Sequence, residues 1–250
     1  MPGRQLVADN INLAPETVTF CLPDAIHLLY IGRKKRRPSM HSIKHPGKTI
    51  GDFCRPDQMA LVVYDMQIGI MRQMPDGAGI TARVLSVLTA ARASNFPVIF
   101  MRHMSMPLAL MGAFQRRQAM AWQRIDDPAA IKPWFLRGSE GFEIVPELQP
   151  RYDEAVIDKI TFSAFEGTPL SIILRDLGLT SFAICGVATE IGIEPTVRHG
   201  ADLGLVPLVI SDACGAGHAE AAERSFANMA FMGDAVICQS ADFIAAARQS

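Results

Sequence analysis

The chain has 250 residues, of which 49% are hydrophobic and 20% are charged, and its formal net charge is −1. This composition excludes wholesale disorder, which requires low hydrophobicity and high net charge, and it gives no general attraction to nucleic acid. No run of about 18 apolar residues is present, so the sequence predicts no membrane-spanning helix.

Cysteine usage and the N-terminal sequence indicate the compartment. The five cysteines are an odd number, widely spaced and without a CxxC pair. This pattern argues against a disulfide framework and favours a reducing environment. The N-terminus lacks a basic segment followed by an apolar core and a small-residue cleavage site, so we expect no secretory signal and a cytoplasmic protein.

Residues 1–56 differ from the remainder and are predicted to be a weakly structured extension. They carry nine Lys/Arg against four Asp/Glu, a balance of +5, whereas residues 57–250 carry fifteen against twenty-one, a balance of −6. The basic block 33–37 is open to two interpretations, a nuclear-localisation or nucleic-acid patch and a solvated extension. We favour the solvated extension, because short basic blocks often occur by chance, and assign residues 57–250 to one domain.

From residue 59 onward, short apolar runs alternate with segments of helical periodicity. The runs are at 59–65, 97–101, 155–157, 181–187, 206–210 and 235–238, and the helical segments are at 80–94, 110–122, 169–177, 191–203 and 219–232. Alternation of this kind predicts repeated βαβ units. The expected fold is therefore three-layer α/β, with a central, mostly parallel sheet of about six strands that is covered by helices on both faces.

Ligands of open α/β sheets bind at the carboxyl ends of the strands, and three chemically distinct elements fall there. Asp65 ends the first apolar run, Lys159 follows the third, and the loop 187–192 joins the fourth to a helix. A carboxylate and an ammonium brought together at this edge could transfer protons, and the loop could offer backbone amides to a developing negative charge. The alternative is a helix cap and a surface lysine, since structural ion pairs are common.

Four segments, read together, resemble the isochorismatase-like hydrolase superfamily, which includes nicotinamidases, carbamoylsarcosine amidohydrolases and isochorismatases. They are the strand Leu-Val-Val-Tyr-Asp-Met-Gln at 61–67, the lysine strand with its Ser-Ala-Phe turn at 157–165, the loop Gly-Val-Ala-Thr-Glu-Ile-Gly at 186–192, and Asp-Ala-Cys at 212–214. The resemblance covers roughly residues 57–250. It implies the α/β fold described above, a small-molecule substrate and a homo-oligomer.

The resemblance also implies a catalytic triad of Asp, Lys and Cys, of which this chain has two members. Asp65 and Lys159 match the first two, but the thiol position is occupied by Gly192. Without sulfur there, attack by a thiol and an acyl-enzyme intermediate cannot occur at that position. Isochorismatases with glycine at this place protonate a vinyl ether carbon through the aspartate, so Asp65 could act as a general acid. Burial would raise the pKa of Asp65 and Lys159 would lower it.

Two further interpretations of the glycine stay open. In one, another cysteine supplies the thiol for amide hydrolysis, with Cys214 nearer the edge of the sheet than Cys185. In the other, the fold is kept without hydrolysis, and the protein binds a small molecule or serves in an assembly.

The resemblance assigns supporting roles to several other residues. It implies a non-proline cis peptide at Val187–Ala188, which would aim the Ala188 and Gly192 amides at one oxyanion. Gln67 could position the substrate or Lys159, Phe165 could form a pocket wall, and Glu190 could recognise a polar or cationic group. Each has a simpler alternative, namely a turn residue for Gln67, core packing for Phe165 and an acidic helix start for Glu190.

The sequence predicts neither a metal nor an organic cofactor. Nicotinamidases hold zinc through an Asp-x-His pair and a further histidine, whereas His103 here has no carboxylate partner two residues away. Zinc requires three or four ligands, so His103 is expected to be a pocket or surface residue. No Gly-rich phosphate loop follows a strand, which argues against a nucleotide cofactor.

Overall fold

The chain divides into two compact units, Met1–His45 and Pro46–Ser250. The structure, a computed structural model, describes residue 47 and residues 49–250, which belong to the second unit. The basic block 33–37 lies outside the described residues. Within residues 49–250, no helix is both long enough and apolar enough to cross a membrane.

A six-stranded parallel sheet forms the centre of the second unit, as predicted. Its strands are β1 (Met59–Tyr64), β2 (Val98–His103), β3 (Ala155–Lys159), β4 (Ser181–Gly186), β5 (Val206–Cys214) and β6 (Val236–Cys238). They pair in parallel in the order β3-β2-β1-β4-β5-β6. The direction of winding reverses between β1 and β4, and a crevice between reversed halves is where open α/β sheets bind ligands.

Within residues 49–250, seven α-helices connect and cover the strands. They are α1 (Ile68–Met71), α2 (Gly77–Ala93), α3 (Ala113–Gln123), α4 (Leu170–Asp176), α5 (Glu194–Asp202), α6 (Ala219–Met232) and α7 (Ser240–Ala247). Five of them confirm the helical segments of the sequence, and a π-helical turn at Thr189–Ile193 precedes α5. Helices α1 and α7 were not predicted.

Two apolar cores lie on opposite faces of the sheet. Successive residues of β1 point alternately to the two faces, so Leu61 and Val63 belong to one core and Val62 and Tyr64 to the other. All six residues of β1 are buried, which explains why its sequence is apolar throughout rather than alternating.

The compact unit begins earlier than the boundary predicted at residue 57. Cys54 is 2% exposed and belongs to one of the two cores, and Ile50 and Phe53 pack against that core. These three residues pack with the domain, although the predicted boundary at 56/57 places them in the extension.

Candidate functional site

Asp65 and Lys159 meet at the carboxyl edge of the sheet. Lys159 Nζ donates to Asp65 Oδ2 at 2.8 Å, and the two residues are 3% and 6% exposed. Asp65 directly follows β1 and has a φ of 48°, a left-handed conformation that in non-glycine residues clusters at functional sites. Lys159 is the last residue of β3, and its ammonium also donates to the Thr161 carbonyl at 3.2 Å.

Burial dominates the protonation of this pair. It raises the pKa of Asp65 to about 6, although the ammonium of Lys159 opposes the shift. Burial also lowers the pKa of Lys159 from its ordinary value, against the charge of Asp65. Desolvation therefore outweighs the charge of Lys159 in setting the pKa of Asp65, a balance that the sequence alone left open. His103 is partly buried, and desolvation together with the charge of Lys159 lowers its pKa to about 3, so it is neutral at neutral pH.

One oxygen of the pair is available for chemistry. Asp65 Oδ1 is buried and accepts no hydrogen bond of normal geometry from the described residues, although the nearby His103 backbone helps to lower the pKa of Asp65. A buried carboxyl oxygen without a hydrogen-bond partner lowers the stability of the folded protein. A catalytic role is one explanation for keeping such a group. Asp65 and Lys159 both line a pocket of about 620 Å³, within the range of small-molecule sites.

The pocket is lined by buried residues that carry chemistry and by aromatic side chains. Among the buried lining residues are Tyr64, Asp65, Lys159 and Gly192. The aromatic side chains that line the pocket are Trp122, Trp134, Phe135 and Phe162, and the charged or titratable ones include Arg124, Glu190 and His218. A larger cavity of about 980 Å³ lies near α7 and contains none of the predicted site residues, so we assign the site to the smaller pocket.

The turn that follows β4 is fixed by hydrogen bonds on both sides. Thr189 donates to the Gly215 carbonyl through its backbone amide at 2.8 Å and its hydroxyl at 2.9 Å. The Thr196 hydroxyl donates to the Gly192 carbonyl at 2.7 Å and accepts from the Ala164 amide at 3.0 Å. The π-helical turn is thereby tied to β5 and to the Ser-Ala-Phe turn.

The two amides expected to bind an oxyanion differ in availability. The peptide bond Val187–Ala188 is cis, as predicted. The Gly192 amide, expected to share an oxyanion with the Ala188 amide, donates to the Ala188 carbonyl at 2.9 Å and is engaged within the π-helical turn. The Ala188 amide lines the pocket and has no hydrogen-bond acceptor in the described part of the chain.

Glu190 lies in the pocket lining, where the sequence analysis placed it. Its Oε1 accepts a hydrogen bond from the His218 amide at 2.7 Å. Its Oε2 is buried and has no partner within residues 49–250. Glu190 therefore has one oxygen that holds a neighbouring loop and a second that a ligand could use.

The comparisons identify the family of the chain. Residues 59–242 match the family described as the isochorismatase domain. The chain belongs to the isochorismatase family. A similar curated relative is the ureidoacrylate amidohydrolase RutB of Acinetobacter baylyi, 29% identical over 175 residues that cover 64% of this chain and 71% of the relative.

Solved structures of the family share the fold. A cysteine hydrolase from Pseudomonas syringae pv. phaseolicola aligns with a TM-score of 0.67 at 23% identity, over 78% of this chain and 94% of the other. An isochorismatase family protein from Burkholderia thailandensis aligns with a TM-score of 0.64 at 26% identity, over 77% and 96%. An N-carbamoylsarcosine amidase from Thermoplasma acidophilum aligns with a TM-score of 0.60 at 21% identity, over 73% and 96%.

Two predicted substrate contacts of this isochorismatase-family chain lie away from the pocket. Gln67 is fully buried. Its side-chain NH₂ group donates to the carbonyls of His103 and Phe142, and its side-chain oxygen accepts from the His103 amide. Phe165 is 5% exposed and packs against Phe182 and His199 at ring-centroid distances of 5.5 and 5.6 Å. Neither residue lines the pocket, and both side chains join elements of the fold, which for Phe165 is the core packing that the sequence left as its alternative.

None of the described cysteines of this isochorismatase-family chain lines the pocket. Cys185 is fully buried within β4, and burial raises its pKa to about 12. Cys214 contacts the Ile184 carbonyl at 3.8 Å, and burial raises its pKa well above the ordinary value. Because a thiolate is the reactive form, this arrangement speaks against both as nucleophiles.

Several lining residues were missed from the sequence. Trp122, Arg124 and Trp134 come from α3 and the irregular segment after it, which carries no regular pattern. Phe162 directly precedes the Ser-Ala-Phe turn. Its place three residues after Lys159 could have indicated that it lies near the site. His103 was expected to be a pocket or a surface residue, and it lines the pocket. Within the described residues, no group of three His, Cys, Asp or Glu side chains is arranged to hold a metal ion.

Proposed function

We propose that this isochorismatase-family chain hydrolyses a small organic molecule by proton transfer from Asp65, without a covalent thiol intermediate. The observation that carries the proposal is Asp65 Oδ1, a buried and unpartnered carboxyl oxygen that belongs to a pocket-lining residue. With a pKa of about 6, about half of the Asp65 side chains are protonated at pH 6 and about a tenth at pH 7. A carboxylic acid with such a pKa is suited to general acid catalysis.

An enol ether of the isochorismate type fits this acid. Protonated Asp65 gives its proton to the terminal vinyl carbon, and the electron pair of the double bond forms the new C–H bond. The resulting oxocarbenium ion takes a water molecule, which returns one proton to the Asp65 carboxylate. The hemiketal then collapses to a ketone and an alcohol, so that the C–O bond is broken by water and no side chain is acylated.

Lys159 and Ala188 complete the proposed roles. Lys159 is the charge partner that stabilises the Asp65 carboxylate once the proton has left, through the 2.8 Å contact. The Ala188 amide is the candidate donor to an oxyanion or carbonyl, because it has no other acceptor in the described residues. Gly192 brings no side chain of its own to the pocket lining, and Glu190 Oε2 is the candidate group for a polar substrate atom.

Amide hydrolysis is the second candidate, and the names of relatives favour it. They include a ureidoacrylate amidohydrolase and an N-carbamoylsarcosine amidase. Here an amide would be cleaved by water, with ionised Asp65 as the base. The third candidate, a binder without catalysis, requires only the pocket.

A substrate panel with three proteins distinguishes these candidates. Isochorismate, nicotinamide and ureido or carbamoyl amides are offered to the wild type, Asp65→Asn and Cys214→Ala. We expect turnover of the enol ether that falls at least about 100-fold in Asp65→Asn and is unchanged in Cys214→Ala. Amide turnover that is lost in Asp65→Asn and kept in Cys214→Ala would replace the proposal by the second candidate, and amide turnover that depends on Cys214 would overturn both. Ligand binding without any turnover would support the binder.

A further inference from the structure

The side chain of Tyr64 fills the space beside Gly192. A Cβ atom added to Gly192 would lie 2.5 Å from Tyr64 Cζ, and closer still to Cε1 and Oη. Real Cβ atoms essentially never come within 3.0 Å of another heavy atom in this way. Residue 192 can therefore carry a side chain only if the Tyr64 ring moves away.

The Tyr64 ring is held in its place by its neighbours. Its hydroxyl donates to the Phe162 carbonyl, and Lys159 Nζ lies 4.2 Å from the ring centroid, which is within cation–π range. The residue is 1% exposed and packs in the core on its face of the sheet. Burial and the charge of Asp65 raise the pKa of Tyr64 well above its ordinary value, so the hydroxyl keeps its proton and remains a donor.

We propose that Tyr64 and Gly192 are a matched pair, in which the phenol ring takes the place of a side chain at position 192 and holds the Lys159 ammonium against Asp65. Tyr64 is then a positioning residue, acting through Lys159. The pair also keeps a thiol out of this part of the pocket, because a cysteine at 192 needs the volume of the ring. The positioning role rests on the proposed function, whereas the packing of the pair does not.

The packing is tested by thermal unfolding of Gly192→Ala in three backgrounds, with Tyr, Phe or Leu at position 64. Helix propensity alone would raise the melting temperature of Gly192→Ala, because glycine is a poor helix former. We expect Gly192→Ala to lower the melting temperature with Tyr64 and in Tyr64→Phe, which keeps Cε1 and Cζ. In Tyr64→Leu, which removes all three clashing atoms, the loss should disappear. A Gly192→Ala protein as stable as the wild type would overturn the pair outright, as would an equal loss in all three backgrounds.

The positioning role is tested by kinetics on the substrate that the wild type turns over. Tyr64→Leu should lower kcat by at least about tenfold with a smaller change in KM, and Tyr64→Phe should lose less because it keeps the ring under the ammonium. Equal kcat in both variants, or a loss confined to KM, would overturn the positioning role. If the wild type turns over nothing, the proposed function fails, while the unfolding experiment still decides whether Tyr64 and Gly192 are matched.

Discussion

The Lys159 ammonium lies 2.8 Å from Asp65 Oδ2, although β1, which Asp65 follows, and β3, which ends at Lys159, are separated by β2 in the sheet. The Lys159 ammonium also lies 4.2 Å from the centroid of the Tyr64 ring. Both groups are buried, and each partly opposes the shift that burial imposes on the pKa of the other.

Replacing Lys159 by methionine should weaken the fold mainly at high pH. The change leaves Asp65 without its counter-charge, and an unpaired buried charge typically costs about 3–5 kcal/mol. At pH 5 the cost should be smaller, because Asp65 can take up a proton. Urea unfolding at pH 5 and pH 8 measures the difference, with the exposed Lys132→Met as the matched control. Equal losses at both pH values would show that the charge of Asp65 is not the cause.

Asp65 should make the folded protein less stable as pH rises. Its pKa is about 6 in the folded state, above the ordinary value of 3.8, so the folded state binds the proton more tightly than the unfolded state. The stabilisation is fully present below pH 3.8 and is lost as pH rises through 6. As pH rises from 4 to 7, the free energy of unfolding of Asp65→Asn should therefore increase relative to that of the wild type by on the order of 1–3 kcal/mol.

Unfolding free energies of the two proteins across this pH range test the expectation. Asp153→Asn, at an exposed acid, serves as the control and should run parallel to the wild type. A difference between wild type and Asp65→Asn that is constant with pH would mean that burial does not raise the pKa of Asp65.

Asp212 should contribute to stability without contributing to activity. Its Oδ1 and Oδ2 accept from the Ser240 amide and hydroxyl, each at 2.6 Å, at the start of α7. Hydrogen bonds to a charged group are worth about 1.5–3 kcal/mol, so Asp212→Ala should lose stability of that order. Ser240→Ala, which removes only the hydroxyl bond, should lose less. Loss of turnover in folded Asp212→Ala would assign this residue to the site instead.

Two N-terminal truncations should differ in stability. Removal of residues 1–45 leaves Ile50, Phe53 and Cys54 in place against the core, whereas removal of residues 1–56 deletes all three. Burying one large apolar side chain contributes about 1.5–3 kcal/mol, so the longer truncation should melt at a clearly lower temperature than the shorter one. Equal melting temperatures would show that residues 46–56 do not stabilise the domain, in agreement with a boundary at residue 57.

The fold could be predicted from the sequence because each strand contains a short apolar run. Residues 59–64 could be assigned to a doubly covered strand without knowing its partners, and the position of Asp65 after it placed the carboxylate at the sheet edge. Helix α7 was missed because its eight residues are short for a periodicity argument, and because its start is held by Asp212, a contact distant in sequence.

The site was predictable only in part, since side-chain direction is decided by packing. Gln67 looked available next to Asp65, but its amide is used to hold the end of β2 to the chain that follows β1. Tyr64 directly precedes Asp65, and the sequence pattern assigned it only to a strand. Its effect on Gly192 depends on a distance between residues 128 positions apart, which no local pattern reports.

The dependence of kcat on pH, measured for the wild type on the substrate it turns over, tests the central claim most directly. Asp65 is faced by Lys159 and lies near His103 and Tyr64, of which His103 stays neutral and Tyr64 stays protonated at working pH. A general acid at Asp65 predicts a rate that is highest below pH 6 and falls about tenfold per pH unit above it. A rate that rises through this range to a plateau in alkaline solution would contradict the claim, because it would require an ionised base or a thiolate.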